Sequence, residues 1–102
     1  MPYRIQVSPT AELDLRSLRK REGQAVRPAL PRYLTHEPSA RSTKRRPLDP
    51  NPFDADWELR LGDLRVLYAI DEPAQVVRVL RVGRKEGNRL YLRGVPVETR
   101  LP

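Results

Sequence analysis

The pattern of apolar and polar positions predicts four strands in this chain. Apolar and polar residues alternate over residues 3–7, which is the two-residue period of a half-buried strand. In the second half of the chain, alternating, β-branched and aromatic residues favour strands over 57–61, 64–70 and 75–82. The sequence therefore predicts one strand at the start and three that follow one another closely.

Two helices are predicted between the first strand and residue 35. Ser8 before Pro9 is typical of a helix start, because serine caps free N–H groups and proline suits the first helical position. Apolar residues at helical spacing carry this helix to about Arg21, and we expect Gly23 to end it.

The second helix is indicated by Val26, Leu30 and Leu34, which recur at i, i+4 and i+8. Pro28 and Pro31 interrupt this pattern, so we expect one of them to kink or shorten the helix.

Residues 35–56 change in character, because prolines and basic residues make regular structure improbable there. We expect a long loop pinned to the body by Leu48 and Phe53. Its basic cluster is either solvated or a contact for nucleic acid or a protein; the cluster is Lys44-Arg45-Arg46.

The order of elements is β-α-α-β-β-β, which indicates an α+β fold in one domain over residues 1–102. A helical hairpin would pack on one face of a small, mainly antiparallel, twisted sheet. The tail from Gly83 is expected to be short and irregular or extended, because Gly87-Asn88 would break a helix.

Gly62-Asp63 fixes the register of a β-hairpin, because glycine at the first central position suits a two-residue type II′ turn. Arg60 then lies opposite Arg65. Alternation places the apolar residues of both strands under the helices and leaves the other face to a small set: Glu58, Arg60, Arg65 and Leu67.

Two arginines directly opposite each other repel, and a bound phosphate would relieve that cost. The alternative is that Glu58 and Asp63 neutralise Arg60 and Arg65 as a surface network.

Charge and composition narrow the classes of partner and site. The formal charge is +7, and 17 of the 20 basic residues are arginine, so the sequence favours polyanionic partners such as RNA, DNA or an acidic protein. The chain has no cysteine and a single histidine, His36, which excludes a disulfide framework, a thiolate nucleophile and a cysteine zinc site. No signal-peptide core and no membrane-spanning run is present, so we expect a cytoplasmic protein that has no membrane partner. We also expect no cofactor.

The hairpin residues 57–71 and the segment 79–85 resemble the RelE/ParE superfamily of bacterial toxin-antitoxin toxins. The matching features are a hairpin containing Arg-Val-Leu-Tyr and a strand ending in Val-Gly and basic residues. Tyr3-Arg4-Ile5, the Ser-Pro-Thr-Ala helix start and Asp14-Leu15 fit as well, so the resemblance covers about residues 3–92.

The resemblance implies a toxin held inactive by a cognate antitoxin. RelE-like members enter the ribosomal A site and cleave mRNA through attack of a 2′-hydroxyl on the neighbouring phosphate, which leaves a 2′,3′-cyclic phosphate. Matched positions imply that Arg65 steadies the scissile phosphate and that four further residues belong to the catalytic site: Arg60, Glu58, Lys85 and Tyr91. Flanking cations would bind RNA: Arg81, Arg84, Arg89, Lys44, Arg45 and Arg46.

The sequence departs from the family at Glu58 and Arg60, where several RelE toxins carry lysines, and at Lys85, where they have an arginine. A guanidinium stays protonated in proteins, so Arg60 can bind charge but cannot accept a proton. The general base could then be Tyr91, Lys85 or Glu58. A packed aromatic and a solvated turn lysine are the alternative roles of Tyr91 and Lys85.

The partners that we expect for a ribosome-dependent mRNA endoribonuclease are the antitoxin, the ribosome and mRNA. The alternatives are a non-catalytic inhibitor of DNA gyrase like ParE, or a degenerate toxin that only binds RNA or a protein.

Overall fold

A computed structural model describes residues 2–49 and 51–100, and for residues 98–100 the backbone alone. Two helices pack on one face of a sheet in which seven strands are seen over these residues. The elements are β1 (Arg4–Val7), α1 (Pro9–Ser17), α2 (Lys20–Leu34), β2 (Arg45–Pro47), β3 (Trp57–Leu61), β4 (Leu64–Asp71), β5 (Val76–Glu86), β6 (Arg89–Leu92) and β7 (Val95–Arg100). The predicted α+β class and element order are confirmed.

The sheet is mostly antiparallel. Its strands run in the order β2-β3-β4-β5-β6-β7, and β1 pairs with β5 in parallel. No helix of the described residues is long and apolar enough to cross a membrane.

The helical hairpin begins as predicted but divides at a different place. Ser8 caps α1, since its Oγ accepts a hydrogen bond from the Ala11 N–H at 3.0 Å. The expected helix end at Arg21 is wrong: α1 ends at Ser17, and Gly23 lies inside α2 instead of ending a helix. Leu18 is extended, and the Glu22 carboxylate accepts a hydrogen bond from the backbone N–H of Arg19, which starts the second helix early.

The prolines of α2 do not shorten it, because the helix runs through Pro28 and Pro31 to Leu34. Its buried stripe holds the helix in place despite the hydrogen bonds that proline cannot donate. The stripe consists of Val26, Ala29, Leu30 and Leu34.

The loop 35–56 contains more structure than the sequence predicted. Residues 45–47 form β2, an edge strand paired with β3, and residues 52–54 form a short 3₁₀ turn. Leu48 is buried as expected, whereas Phe53 is 41% exposed. The hydroxyl of buried Tyr68 anchors the loop further, because it donates a 2.5 Å hydrogen bond to the Pro38 carbonyl.

The predicted hairpin register is confirmed, with Arg60 opposite Arg65 and Leu61 opposite Leu64. Gly62 has a φ of +60°, as a type II′ turn requires at its first central position. The tail of the described chain is extended: β5 continues to Glu86, and β6 and β7 form a second hairpin.

Apolar clusters lie on both faces of the sheet. We call the face that packs on the helices the inner face and the opposite one the outer face. The inner cluster includes Leu59, Val66 and Tyr68, and the outer cluster includes Leu67 and Leu90. The outer face is therefore partly a second core and not simply a solvated surface.

Candidate functional site

Several charged side chains share the outer face, because residues paired directly across strands point to the same side. Arg60 and Arg65 pair across the hairpin, and Arg46 of β2 pairs with Glu58. Arg65 also pairs with Gly83, so Lys85, two residues further along β5, points the same way. We name Arg46, Glu58, Arg60, Arg65 and Lys85 the outer-face cluster. Other charged residues point to the same side further along β4 and β5: Asp71, Arg78 and Arg81.

Glu58 is the most deeply buried member of the outer-face cluster. Its side chain is 0% exposed, and its Oε1 accepts a hydrogen bond from Arg60 Nε at 2.6 Å. Glu58 Oε2 has no hydrogen-bond partner among the described residues. This ion pair matches one part of the alternative, the neutralisation of Arg60 by Glu58, but the carboxylate is buried and does not belong to a solvated surface network.

Arg65 is 8% exposed and is tied to the turn that it follows. Its Nη1 donates hydrogen bonds to the carbonyls of Gly62 at 2.6 Å and Leu64 at 2.9 Å, whereas its Nε has no partner among the described residues. Burial lowers the pKa of Arg65, the charge of Glu58 opposes that shift, and the charge of Arg60 adds to it. A guanidinium still remains protonated at neutral pH, so Arg65 is a fixed positive charge with a donor left over.

Lys85 is the part-exposed member of the cluster that can exchange a proton. Its backbone N–H donates to the Asp63 carbonyl at 2.8 Å, which holds this point of β5 beside the hairpin turn. Because Glu58 is fully buried, Lys85 is the titratable member of the outer-face cluster that a ligand from solvent can reach.

Tyr91 lies on the opposite side of the sheet from Arg65 and Lys85. It pairs with Arg84, and Arg84 pairs with Leu64, whose side chain belongs to the inner cluster. Tyr91 lines a cleft of about 490 Å³ beside the corner between α1 and α2. The sheet therefore separates Tyr91 from the outer-face cluster.

The remaining predicted RNA-binding residues are dispersed. Arg84 forms an ion pair with Glu22, and Arg45 donates to the carbonyls of Ala40 and Tyr33 on the inner side. Lys44 and Arg89 are exposed, near the two edges of the sheet.

Arg81 belongs to a buried network that centres on Asp14, a residue not predicted as part of a site. Asp14 is 0% exposed and accepts hydrogen bonds from Arg81 Nε at 2.7 Å and from the backbone N–H of Val82 at 3.0 Å. Arg93 Nε lies 3.1 Å from the same carboxylate. The signal in the sequence was a carboxylate within the apolar stripe of α1, next to Leu15.

The outer-face cluster combines four cationic side chains with one carboxylate, and this excess of positive charge favours an anionic ligand. Among the described residues, no group of His, Asp and Glu side chains is arranged to hold a metal ion. Charge stabilisation and proton transfer are the kinds of chemistry that arginine, lysine and glutamate side chains supply.

Comparison with known proteins gives a family and two similar solved structures. Residues 5–89 match the model of the ParE toxin of type II toxin-antitoxin systems, parDE. A chain of the RelBE2 toxin-antitoxin complex from Mycobacterium tuberculosis is 30% identical, with a TM-score of 0.68 over 83% of this chain and 100% of that chain. A chain of the archaeal RelE-RelB complex from Pyrococcus horikoshii OT3 is 25% identical, with a TM-score of 0.55 over 82% of this chain and 96% of that chain. No curated protein sequence matches.

Proposed function

The chain belongs to the family of ParE toxins of type II toxin-antitoxin systems. From its outer-face cluster and its similarity to chains of the RelBE2 and RelE-RelB complexes, we propose that it inhibits translation by cleaving messenger RNA at the ribosome. The observation that carries the proposal is the placement of Arg65 and Lys85 on one face of the sheet. Cleavage by a 2′-hydroxyl needs a group that binds the phosphate and a group that accepts the hydroxyl proton, and we assign these two roles to Arg65 and Lys85. The target places the action in the cytoplasm, where an antitoxin would hold the toxin inactive.

Each residue has a defined part in the proposed reaction. Neutral Lys85 Nζ takes the proton of the 2′-hydroxyl, and the oxygen attacks the adjacent phosphorus. Arg65 stabilises the extra negative charge of the pentacoordinate phosphorus, aided by the positive potential of Arg46. The bond from phosphorus to the 5′-oxygen then breaks, the 5′-oxygen takes a proton from water, and a 2′,3′-cyclic phosphate remains.

Lys85→Arg is the sharpest test of this proposal, because arginine keeps the charge and cannot serve as a base. We expect the wild type to produce new mRNA 5′ ends within translated codons after induction, and Lys85→Arg to bind RNA but cleave at least about a hundredfold more slowly. Arg89→Lys, an exposed conservative change on the inner side, is the matched control. Unchanged cleavage by Lys85→Arg would remove Lys85 from the mechanism.

Inhibition of DNA gyrase without catalysis is the second candidate function. It is favoured by the ion pair between Glu58 and Arg60, which occupies the two positions where several RelE toxins carry lysines. A supercoiling assay with purified gyrase separates the candidates: inhibition beside intact messages supports gyrase, and cut messages beside normal supercoiling support RNA cleavage. A chain that does neither is a degenerate toxin that only binds.

A further inference from the structure

An apolar groove with a cationic rim lies between α2 and the tip of the β3–β4 hairpin. It has a volume of about 370 Å³. One side is formed by small residues of α2, namely Ala25, Pro28 and Ala29, and the other by Leu61 and Leu64 of the hairpin. Ala25 and Pro28 are exposed, so the groove is open to a partner.

The charges around the groove have one sign. Arg32 and Lys44 line it and are exposed, and the residues that line it include no aspartate or glutamate. Tyr33 forms part of the wall with its ring between two guanidinium groups, since Arg32 lies 5.4 Å and Arg45 5.9 Å from the ring centroid. Arg45 is fixed in turn by its hydrogen bonds to the carbonyls of Ala40 and Tyr33.

We propose that this groove is the docking surface for a segment of the antitoxin that carries apolar side chains flanked by aspartate or glutamate. The apolar surface inside the groove is shielded from water only if apolar side chains fill it. The positive charges of Arg32 and Lys44 at the rim attract carboxylates. The phosphates of a nucleic acid strand would bind the cations of the rim but leave the apolar surface inside the groove uncovered. The proposal rests on the toxin function proposed above, which supplies the antitoxin as the partner.

The position of the groove links it to the outer-face cluster. The hairpin wall is built around Gly62 and Leu64, whose carbonyls accept the hydrogen bonds of Arg65 Nη1. A segment seated in the groove therefore presses on the turn that anchors Arg65. The antitoxin can in this way restrain Arg65, the residue proposed to bind phosphate, without covering the outer face.

Two pairs of variants test the docking surface. Affinity is measured against the purified, labelled product of the small reading frame adjacent to the one for this chain, which is the candidate antitoxin. Ala25→Trp fills the groove, whereas Gln24→Trp adds the same side chain one position away on the exposed surface of α2. The double variant Arg32→Glu/Lys44→Glu reverses the rim, whereas Lys20→Glu/Arg21→Glu reverses the same charge at the start of α2. Circular dichroism and thermal melts check that every variant folds.

We expect each groove variant to weaken antitoxin binding at least about tenfold and each control to change it less than about twofold. Equal affinities within both pairs would overturn the proposal. So would a rim variant that weakens binding of a short single-stranded RNA while antitoxin affinity stays unchanged, since the groove would then belong to nucleic acid. Because antitoxin affinity is read without any cleavage, failure of the RNA-cleavage proposal would leave this result interpretable.

Discussion

Glu58 brings a negative charge into the outer-face cluster, whose other members are all cations. A buried carboxylate is costly unless it is paired with a positive charge. Arg60 is that partner, and its guanidinium binds one of the two carboxylate oxygens of Glu58. The second oxygen has no partner within the described residues, so Glu58 is held but not fully satisfied. Glu58 thus restrains Arg60 and lowers the positive potential that a phosphate meets at Arg65.

Glu58→Gln is expected to raise the affinity for RNA about tenfold, because it removes a repelling charge and releases Arg60 to bind phosphate. The probe is a short RNA with every 2′-hydroxyl methylated, which cannot be cleaved, and binding is measured by fluorescence anisotropy. In an Arg60→Ala background the gain should shrink to about threefold or less, since only the repulsion is then removed. An undiminished gain without Arg60 would show that Glu58 does not act through it.

At the scale of elements, Asp14 closes an opening in the sheet. One edge of β5 pairs first with β1, over Val76–Val79, and later with β6, over Arg84–Glu86. Between these stretches, Ser8 Oγ donates to the Leu80 carbonyl and Asp14 accepts from the Val82 N–H. The N-cap and a buried carboxylate of α1 thus satisfy the backbone groups of β5 that a neighbouring strand would otherwise pair.

Asp14→Asn should lower the free energy of unfolding by about 3 kcal/mol, because it leaves Arg81 without its buried counter-charge and loosens Arg93. Urea denaturation at neutral pH measures the change. Glu12→Gln in the same helix removes an ion pair to Arg27 at the surface, and it should cost less than about 1 kcal/mol. Equal losses for the two variants would contradict the central role of Asp14.

The ion pair of Glu22 with Arg84 makes the start of α2 sensitive to acid. The hydrogen bond from Arg84 lowers the pKa of Glu22 from its usual 4.5. A carboxyl whose pKa is lower in the folded state stabilises the fold at neutral pH, and this contribution is lost as the pH falls from about 4.5 through the folded-state pKa. Glu22→Gln should therefore show a shallower loss of stability than the wild type over that range, measured by urea midpoints at successive pH values. Parallel pH profiles would argue against the ion pair.

Local patterns predicted the elements whose structure is decided locally. The hairpin was predictable because a two-residue turn and alternation together fix its register. β2 was not, because Arg45-Arg46-Pro47 has no alternation and becomes a strand only through its pairing with β3. The helix boundary failed for a similar reason: the bond from Arg19 to Glu22 outweighed the glycine that appeared to end the first helix.

At the scale of the whole molecule, the candidate site depends on contacts that no local pattern contains. The sequence placed Arg60 beside Arg65 correctly, yet the position of Tyr91 depends on how β6 pairs with the end of β5. The burial of Glu58 and Arg65 likewise depends on the outer apolar cluster, to which distant segments contribute Leu48 and Leu90. From a single sequence, the residues that pair between such distant segments cannot be predicted.

The distribution of charge over the two faces leads to a prediction for RNA binding as a whole. The chain carries a formal charge of +7, which alone would attract RNA to every basic surface. If the outer face is the binding surface, Lys85→Ala and Arg46→Ala should each reduce the slope of log K against log salt by about 0.7, the value for one phosphate contact on a single strand. Arg89→Ala removes the same charge from the inner side and should leave the slope unchanged. Titrations of a methylated, uncleavable RNA at several salt concentrations measure all three. Equal reductions would mean that net charge attracts the RNA without selecting a face, whereas a reduction confined to Lys85 and Arg46 would assign binding to the face that carries Arg65.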